Sequence, residues 1–257
     1  MRRIVLEQPL SRAAIWSVRL ALFAVMVSLF GVFVVRSGQQ DAPGLAALGS
    51  GVALALLTFM SAVVGGVAIW NRGLKGIGRI SFAAMVALAL LAAPALVILQ
   101  MLRLPQLNDI STDIDDPPAF SRSRAALAAR GGHVPVERPP ASRLPQRDAY
   151  QRLIPIIVEL PAEEAHDIAL KAAMNMGWRI IEQNPPGGRS ATGRIEAVAT
   201  TRVLRFPDDV TIRVRTRVNG ARIDVRSVSR LGRHDLGTNA RRIQSYADEI
   251  QLLISAR

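Results

Sequence analysis

The chain has 257 residues, half of them apolar, with a positive mean hydropathy and a formal charge of +12. It contains no cysteine, which excludes disulfides, thiolate metal sites and cysteine nucleophiles. Its three histidines, His133, His166 and His234, are far apart and form no HExxH or paired spacing, so no zinc site is expected. The charge is divided unevenly. Residues 1–103 carry nine Lys/Arg and two acids, and residues 104–257 carry twenty-three and eighteen. The first excess flanks apolar segments and reads as topology signal, while the second half mixes both signs. Nucleic acid is therefore not an expected partner.

A spanning helix needs roughly 20 apolar residues. Three segments supply them: about 13–35, broken by Arg19; 45–70, without a charge; and 80–102, with Pro94 inside. Arg19 is near a helix start, where its stem can snorkel to the headgroups. The first segment has a basic start but ends GVFVVRSG, with no small-x-small cleavage site, and reads as a retained anchor. The lipid bilayer is thus the first expected partner. Arg2, Arg3 and Arg12 precede the first span, and Arg72, Lys75 and Arg79 fill the second loop. Arg36 stands alone in the first loop, and no basic residue follows Arg103 until Arg122. The distribution predicts a cytoplasmic N-terminus and, after three spans, a periplasmic C-terminal domain at a bacterial inner membrane. Apart from Arg19 the spans hold no ionisable group, which favours an anchor over a conduit. Small residues recur at Ser61–Gly65 and Ala62–Gly66, a spacing that permits close helix packing.

Residues 104–150 contain seven prolines and read as an extended linker with a short helix near 121–129, or as a segment draped over the folded domain. A soluble α+β domain is expected over 151–257. LIPIIVEL (153–160) reads as a strand. Pro161, Glu163 and Glu164 then open a helix whose apolar face is Ala165, Ile168, Ala169, Ala172 and Met176, ending at Gly177. WRIIEQ and RIEAVATTRVLRF (194–206) follow as strands.

TIRVRTRVNGARIDVRSVSR (211–230) reads as a hairpin with a type I′ turn at Asn219-Gly220. That turn would set Val218 opposite Ala221 and Val214 opposite Val225. On the other face it would set Arg217 opposite Arg222, Arg213 opposite Arg226, and Arg215 opposite Asp224. A last helix begins near Thr238 or Asn239, with Ala240, Ile243, Ala247, Ile250 and Ile254 inward. The order β-α-β-β-β-β-α predicts one antiparallel sheet with both helices on its apolar face.

Four strings, LNDISTDIDDPPAF (107–120), GRIEAVAT (193–200), FPDDVTIRV (206–214) and DVRSVSRLGRHDLGTNARRI (224–243), together resemble an uncharacterised bacterial and plastid family known as domain of unknown function 1499. The resemblance covers about residues 105–255 and carries no reaction, ligand or cofactor with it. The element order also looks like the helix-grip modules of outer-membrane assembly lipoproteins, an analogy of topology alone.

The arginines Arg213, Arg217, Arg222, Arg226 and Arg230 of the hairpin, with Arg242 of the last helix, form a candidate site for an anion or a partner, such as an envelope protein, an anionic lipid or a glycan. Asp235, Asn239, Ser227 and Ser229 read as a structural polar cluster, in which Asp235 and Asn239 shape the turn and cap the last helix. Asp109, Asp113, Asp115 and Asp116 are expected to fold back over the hairpin arginines. No catalytic residue is assigned: Ser227 and Ser229 lack a nucleophile-elbow pattern, and Asp208 and Asp209 occupy a turn. Three functions remain, in order: membrane-anchored scaffold, binder of an anionic envelope component, and enzyme.

Overall fold

The computed structural model describes residues 9–38, 41–137, 139, 143–187 and 190–257. The chain forms two compact units, Met1–Gln100 and Met101–Arg257. In the first, α1 (Arg12–Arg36), α2 (Asp41–Arg72) and α3 (Ile77–Arg103) are each long and apolar enough to cross a membrane. On α1 the buried positions Ala14, Ser17, Ala21, Ala24, Gly31 and Val35 fall on one face by helical spacing. They are small, so backbones approach closely: a Cβ on Gly31 would lie 2.8 Å from the Leu48 amide nitrogen. On α2 the packed face takes one member of each expected pair. Ala62 is buried, and a Cβ on Gly65 would lie 2.8 Å from Ile80 Cδ1, whereas no described residue comes within 4 Å of such an atom on Gly66. Arg19 turns outward with its guanidinium 5.2 Å from the Trp16 ring centroid, a cation–π contact.

The second unit is built on an antiparallel sheet. Its strands are β1 (Asp109–Ser111), β2 (Ile156–Val158), β3 (Arg179–Asn184), β4 (Thr192–Thr200), β5 (Pro207–Arg217) and β6 (Gly220–Ser229). The order is β1-β6-β5-β4-β3, and β2 shares the outer edge of β6 with β1. Alternation along β4, β5 and β6 sends Ile195, Ala197, Ile212, Val214, Ile223 and Val225 to one face. The helices α6 (Ala162–Asn175) and α7 (Thr238–Ser255) cover that face. Glu163 and Glu164 lie in the first turn of α6, and Gly177 stops the helix at φ +71°. Trp178 stacks on Tyr246 at 4.9 Å, and the Tyr246 hydroxyl donates to the Ala169 carbonyl, 2.7 Å, tying the two helices together. The β-α-β-β-β-β-α order and the one-sided helix layer are as expected.

Three expectations are corrected. First, the compact unit starts at Met101, so residues 104–150 are part of it rather than a tether. They add β1 and two short helices, α4 (Arg124–Ala129) and α5 (Leu144–Ala149). Second, the strand expected over 194–206 stops at Thr200. Thr201 accepts from the Arg205 amide and donates its own to Phe206 O, and Arg205 takes φ +59°, which closes a tight loop before β5. Third, the β5–β6 register is displaced by two residues: Arg217 pairs with Gly220, Thr216 with Ala221, Arg215 with Arg222 and Arg213 with Asp224. The loop residues are Val218 and Asn219, neither at positive φ, so the turn is not type I′. Because side chains alternate with period two, this displacement leaves every residue on its expected face.

Candidate functional site

The sheet face turned away from the helices is polar, and residues 109–137 lie across it. Pairing sets Arg226, Thr211 and Glu196 in one row, Asp224, Arg213 and Arg194 in the next, and Arg222 and Arg215 beyond. Asp109 meets Arg226 as a two-pronged fork, 2.9 Å at both Nε and Nη2, and also reaches Arg143 at 3.1 Å. Glu137 takes the remaining Arg226 nitrogen at 2.8 Å. Burial works against the charged form of Arg226, but the Asp109 fork and Glu137 outweigh it and hold the guanidinium pKa above its ordinary value. Asp113 lies among Arg213, Arg215 and Arg222, and Asp116 bridges Arg213 at 3.0 Å and Arg215 at 3.1 Å. The buried Asp224 joins the same three arginines from within the sheet. Asp115 pairs with Arg147 where both are exposed, a contact worth little.

The centre of this layer is buried. The Phe120 ring lies between two guanidiniums, Arg130 at 5.0 Å and Arg226 at 5.1 Å from its centroid. The side chains of Arg130 and Glu196 are fully buried and form an ion pair. Glu196 also accepts from the Ser121 amide and the Thr211 hydroxyl, both 2.9 Å. Asp209 is shared between Arg230, 2.7 Å, and Arg130, 3.4 Å.

On the helix side, Ser227 donates to Asn239 Oδ1, 2.7 Å, and Asn239 Nδ2 donates to the Ser229 hydroxyl, 2.9 Å. Arg242 donates to Ser227, 2.9 Å, and forms an ion pair with Asp208. Asp235 accepts from the amides of Gly237, 2.9 Å, and Asn239, 2.8 Å, which caps the start of α7.

Five of the six candidate arginines, Arg213, Arg222, Arg226, Arg230 and Arg242, therefore meet carboxylates of their own chain, and the sixth, Arg217, is exposed beside the hairpin tip. Acids of residues 109–137 lie on this face and engage Arg213, Arg215, Arg222 and Arg226. If those acids hold the layer down, replacing Asp109, Asp113, Asp115 and Asp116 together by asparagine should speed hydrogen exchange at residues 109–116 of the full chain in detergent. The expected gain is about tenfold or more, since buried pairs contribute most of it. An unchanged exchange rate would show that backbone pairing alone retains the segment.

Arg130, Arg143, Glu137, Glu196 and Phe120 went unnoticed in the sequence. Glu196 left a trace, as the lone carboxylate in the phase opposite Ile195, Ala197 and Ala199. The others sit in proline-rich sequence with no period to read. His166, on α6, is buried, and neither ring nitrogen makes a hydrogen bond among the described residues. Burial holds its imidazole below the ordinary pKa against the pull of Gln183 and Asp167.

The layer and the sheet beneath it correspond to a known sequence unit. The family model described as protein of unknown function (DUF1499) matches residues 109–250. The chain belongs to the DUF1499 family. The DUF1499 match begins at the first residue of β1, so the acidic covering segment is part of the family unit along with the sheet. Neither the curated proteins nor the solved structures contain a match to this chain.

Proposed function

We propose that the chain is a membrane-anchored envelope protein whose DUF1499 unit stands on the non-cytoplasmic side of a bacterial inner membrane and acts as an interaction or scaffold module. One observation carries this reading: the polar groups that could have formed a reactive or ligand-binding cluster are engaged with one another. Arg226 is claimed by Asp109 and Glu137, Arg242 by Asp208, Ser227 by Asn239, and Glu196 by Arg130. Such a buried lattice rigidifies a fold and leaves its outer surface to meet other molecules.

Orientation follows the basic flanks of the helices. It is supported within the helical unit by two backbone bonds, Ser11 N to Lys75 O, 3.0 Å, and Lys75 N to Pro9 O, 3.1 Å. These hold the segment before α1 and the α2–α3 loop at the same end, where Arg12, Arg72, Lys75 and Arg79 gather. An alkaline phosphatase fused after Arg257 is expected to be active, and one fused at Gly76 inactive. The reverse pattern would place the DUF1499 unit in the cytoplasm and end the envelope reading.

A further inference from the structure

Not all of the exposed positive charge lies on the covered face. Strand pairing aligns Asp109, Val228, Asp209, Val198 and Arg179 in one row across the sheet. Three connections lie beyond that row at the same end: residues 104–108, 201–206 and 230–237. The first and third are knitted together. Asn108 Nδ2 donates to Gly232 O, 2.7 Å, the Asp235 amide donates to Leu107 O, 2.8 Å, and His234 Nε2 lies 3.2 Å from Leu104 O.

This end is also where the chain arrives from its last apolar helix. α3 ends at Arg103 and Leu107 is already buried in the second unit. Four residues reach at most about 14 Å when fully extended. With α3 crossing a bilayer, the connection from Arg103 bounds how far Leu107 can lie from the headgroups, whichever side of the membrane the unit occupies.

The loops there have a composition suited to that place. Residues 201–206 read Thr-Arg-Val-Leu-Arg-Phe. Val203 is 69% exposed, between exposed Arg202 and Arg205. The Arg205 conformation, φ +59°, and the bond from the Phe206 amide to Thr201 Oγ1, 2.9 Å, hold the tip in a compact shape. In residues 230–237, Leu231 is half-buried and Arg233 exposed, and Arg241 is exposed on the first turns of α7. The carboxylates nearby are mostly spent: Asp208 and Asp209 are paired with Arg242 and Arg230, and Asp235 caps α7. Asp148 is exposed, beside Arg152 and Arg241 in a shallow hollow next to Leu104.

We propose that this end of the sheet is a membrane-docking surface, in which Val203 and Leu204 enter the headgroup layer and Arg202, Arg205, Arg233 and Arg241 bind anionic phospholipid headgroups. Arginine pairs with phosphate in a forked geometry, and an aliphatic tip between two arginines places apolar atoms below the charged plane and guanidiniums within it. The inference rests on α3 crossing the bilayer and not on the side the unit faces.

The chain has no cysteine, so single cysteines report unambiguously. The test uses the full chain in nanodiscs, with a nitroxide on Val203→Cys or on Val218→Cys. Val218 is fully exposed at the β5–β6 tip, the opposite end of the sheet. In discs containing phosphatidylglycerol, a water-soluble nickel relaxant should reach position 203 several-fold less than position 218. In phosphatidylcholine discs the shielding should be lost. Replacing Arg202, Arg205 and Arg233 by glutamine, each worth about fivefold in membrane affinity, should abolish it. Equal access at the two positions in anionic discs would overturn the docking surface. Shielding that persists in phosphatidylcholine, or that survives the three substitutions, would overturn its anionic specificity. Nanodiscs expose both membrane faces, so these results stand apart from the fusion test of orientation.

Discussion

Glu196→Leu is expected to destabilise the DUF1499 unit by about 3–5 kcal/mol, the cost of stranding a buried charge. The substitution nearly conserves volume, so a cavity is not the source of the loss. The loss comes from Arg130, whose side chain is fully buried and would keep the Ser121 carbonyl but, as a carboxylate partner, only the more distant Asp209, itself held closer by Arg230. The amide of Ser121 and the hydroxyl of Thr211 would lose their acceptor as well. A companion variant tests the cause. Burial keeps the Glu196 carboxyl above its ordinary pKa even against the Ser121 amide and Arg130, so the cost of desolvating the charged form is not fully recovered. Removing both charges, in Arg130→Met with Glu196→Leu, should therefore restore most of the stability. Thermal unfolding of the three proteins as full chains in detergent provides the comparison. A single variant within about 1 kcal/mol of the parent would show that the pair is not buried as described.

Gly220→Val is expected to cost about 3 kcal/mol, from two sources that can be separated. Gly220 takes φ +127°, a region that side chains disfavour. A Cβ there would also run into the Val158 carbonyl of β2 and come within 3.0 Å of Glu159 Cα. Gly131 provides the control: its φ is +64°, but no described atom lies within 4 Å of an added Cβ. Gly131→Ala should cost only about 1 kcal/mol, the conformational part. Hydrogen exchange at Ile156–Val158 should rise in the Gly220 variant and stay unchanged in the Gly131 variant. Equal effects on β2 would mean that backbone conformation alone, and not close approach of β2, requires glycine at position 220.

The close approach of β2 to Gly220 explains why a local turn signal sets the faces of this hairpin but not its register. Asn219-Gly220 is a strong local signal for a type I′ turn. Glycine at 220 has positive φ without that turn, and for a second reason as well: β2, about sixty residues earlier in the chain, passes against its Cα. The faces of β5 and β6 survived the wrong register because alternation depends only on parity. The same locality made the apolar helices, the buried face of α6 and the start of α7 legible, although the residue at the cap position is Gly237 and not Thr238 or Asn239: each is a period or a short motif that a window of a few turns contains.

The covering layer could not be read in this way. Its aspartates stood out as a run without compensating charge, and the strand arginines stood out as too many for one face, so an attraction between them was foreseeable. The partners were not. Asp109 meets Arg226 across 117 positions, and Glu196 meets Arg130 across 66. Residues 112–123 and 130–137 have neither helical nor strand periodicity, and what fixes them is the shape and charge of a sheet built mostly from later residues. Alone, the sequence determined which segments are apolar enough for a bilayer, which faces of the later helices and strands point inward, and where like charges would need company. Only the tertiary structure decided that the company is internal, because the matching of carboxylate to guanidinium depends on positions in space that separation along the chain does not encode.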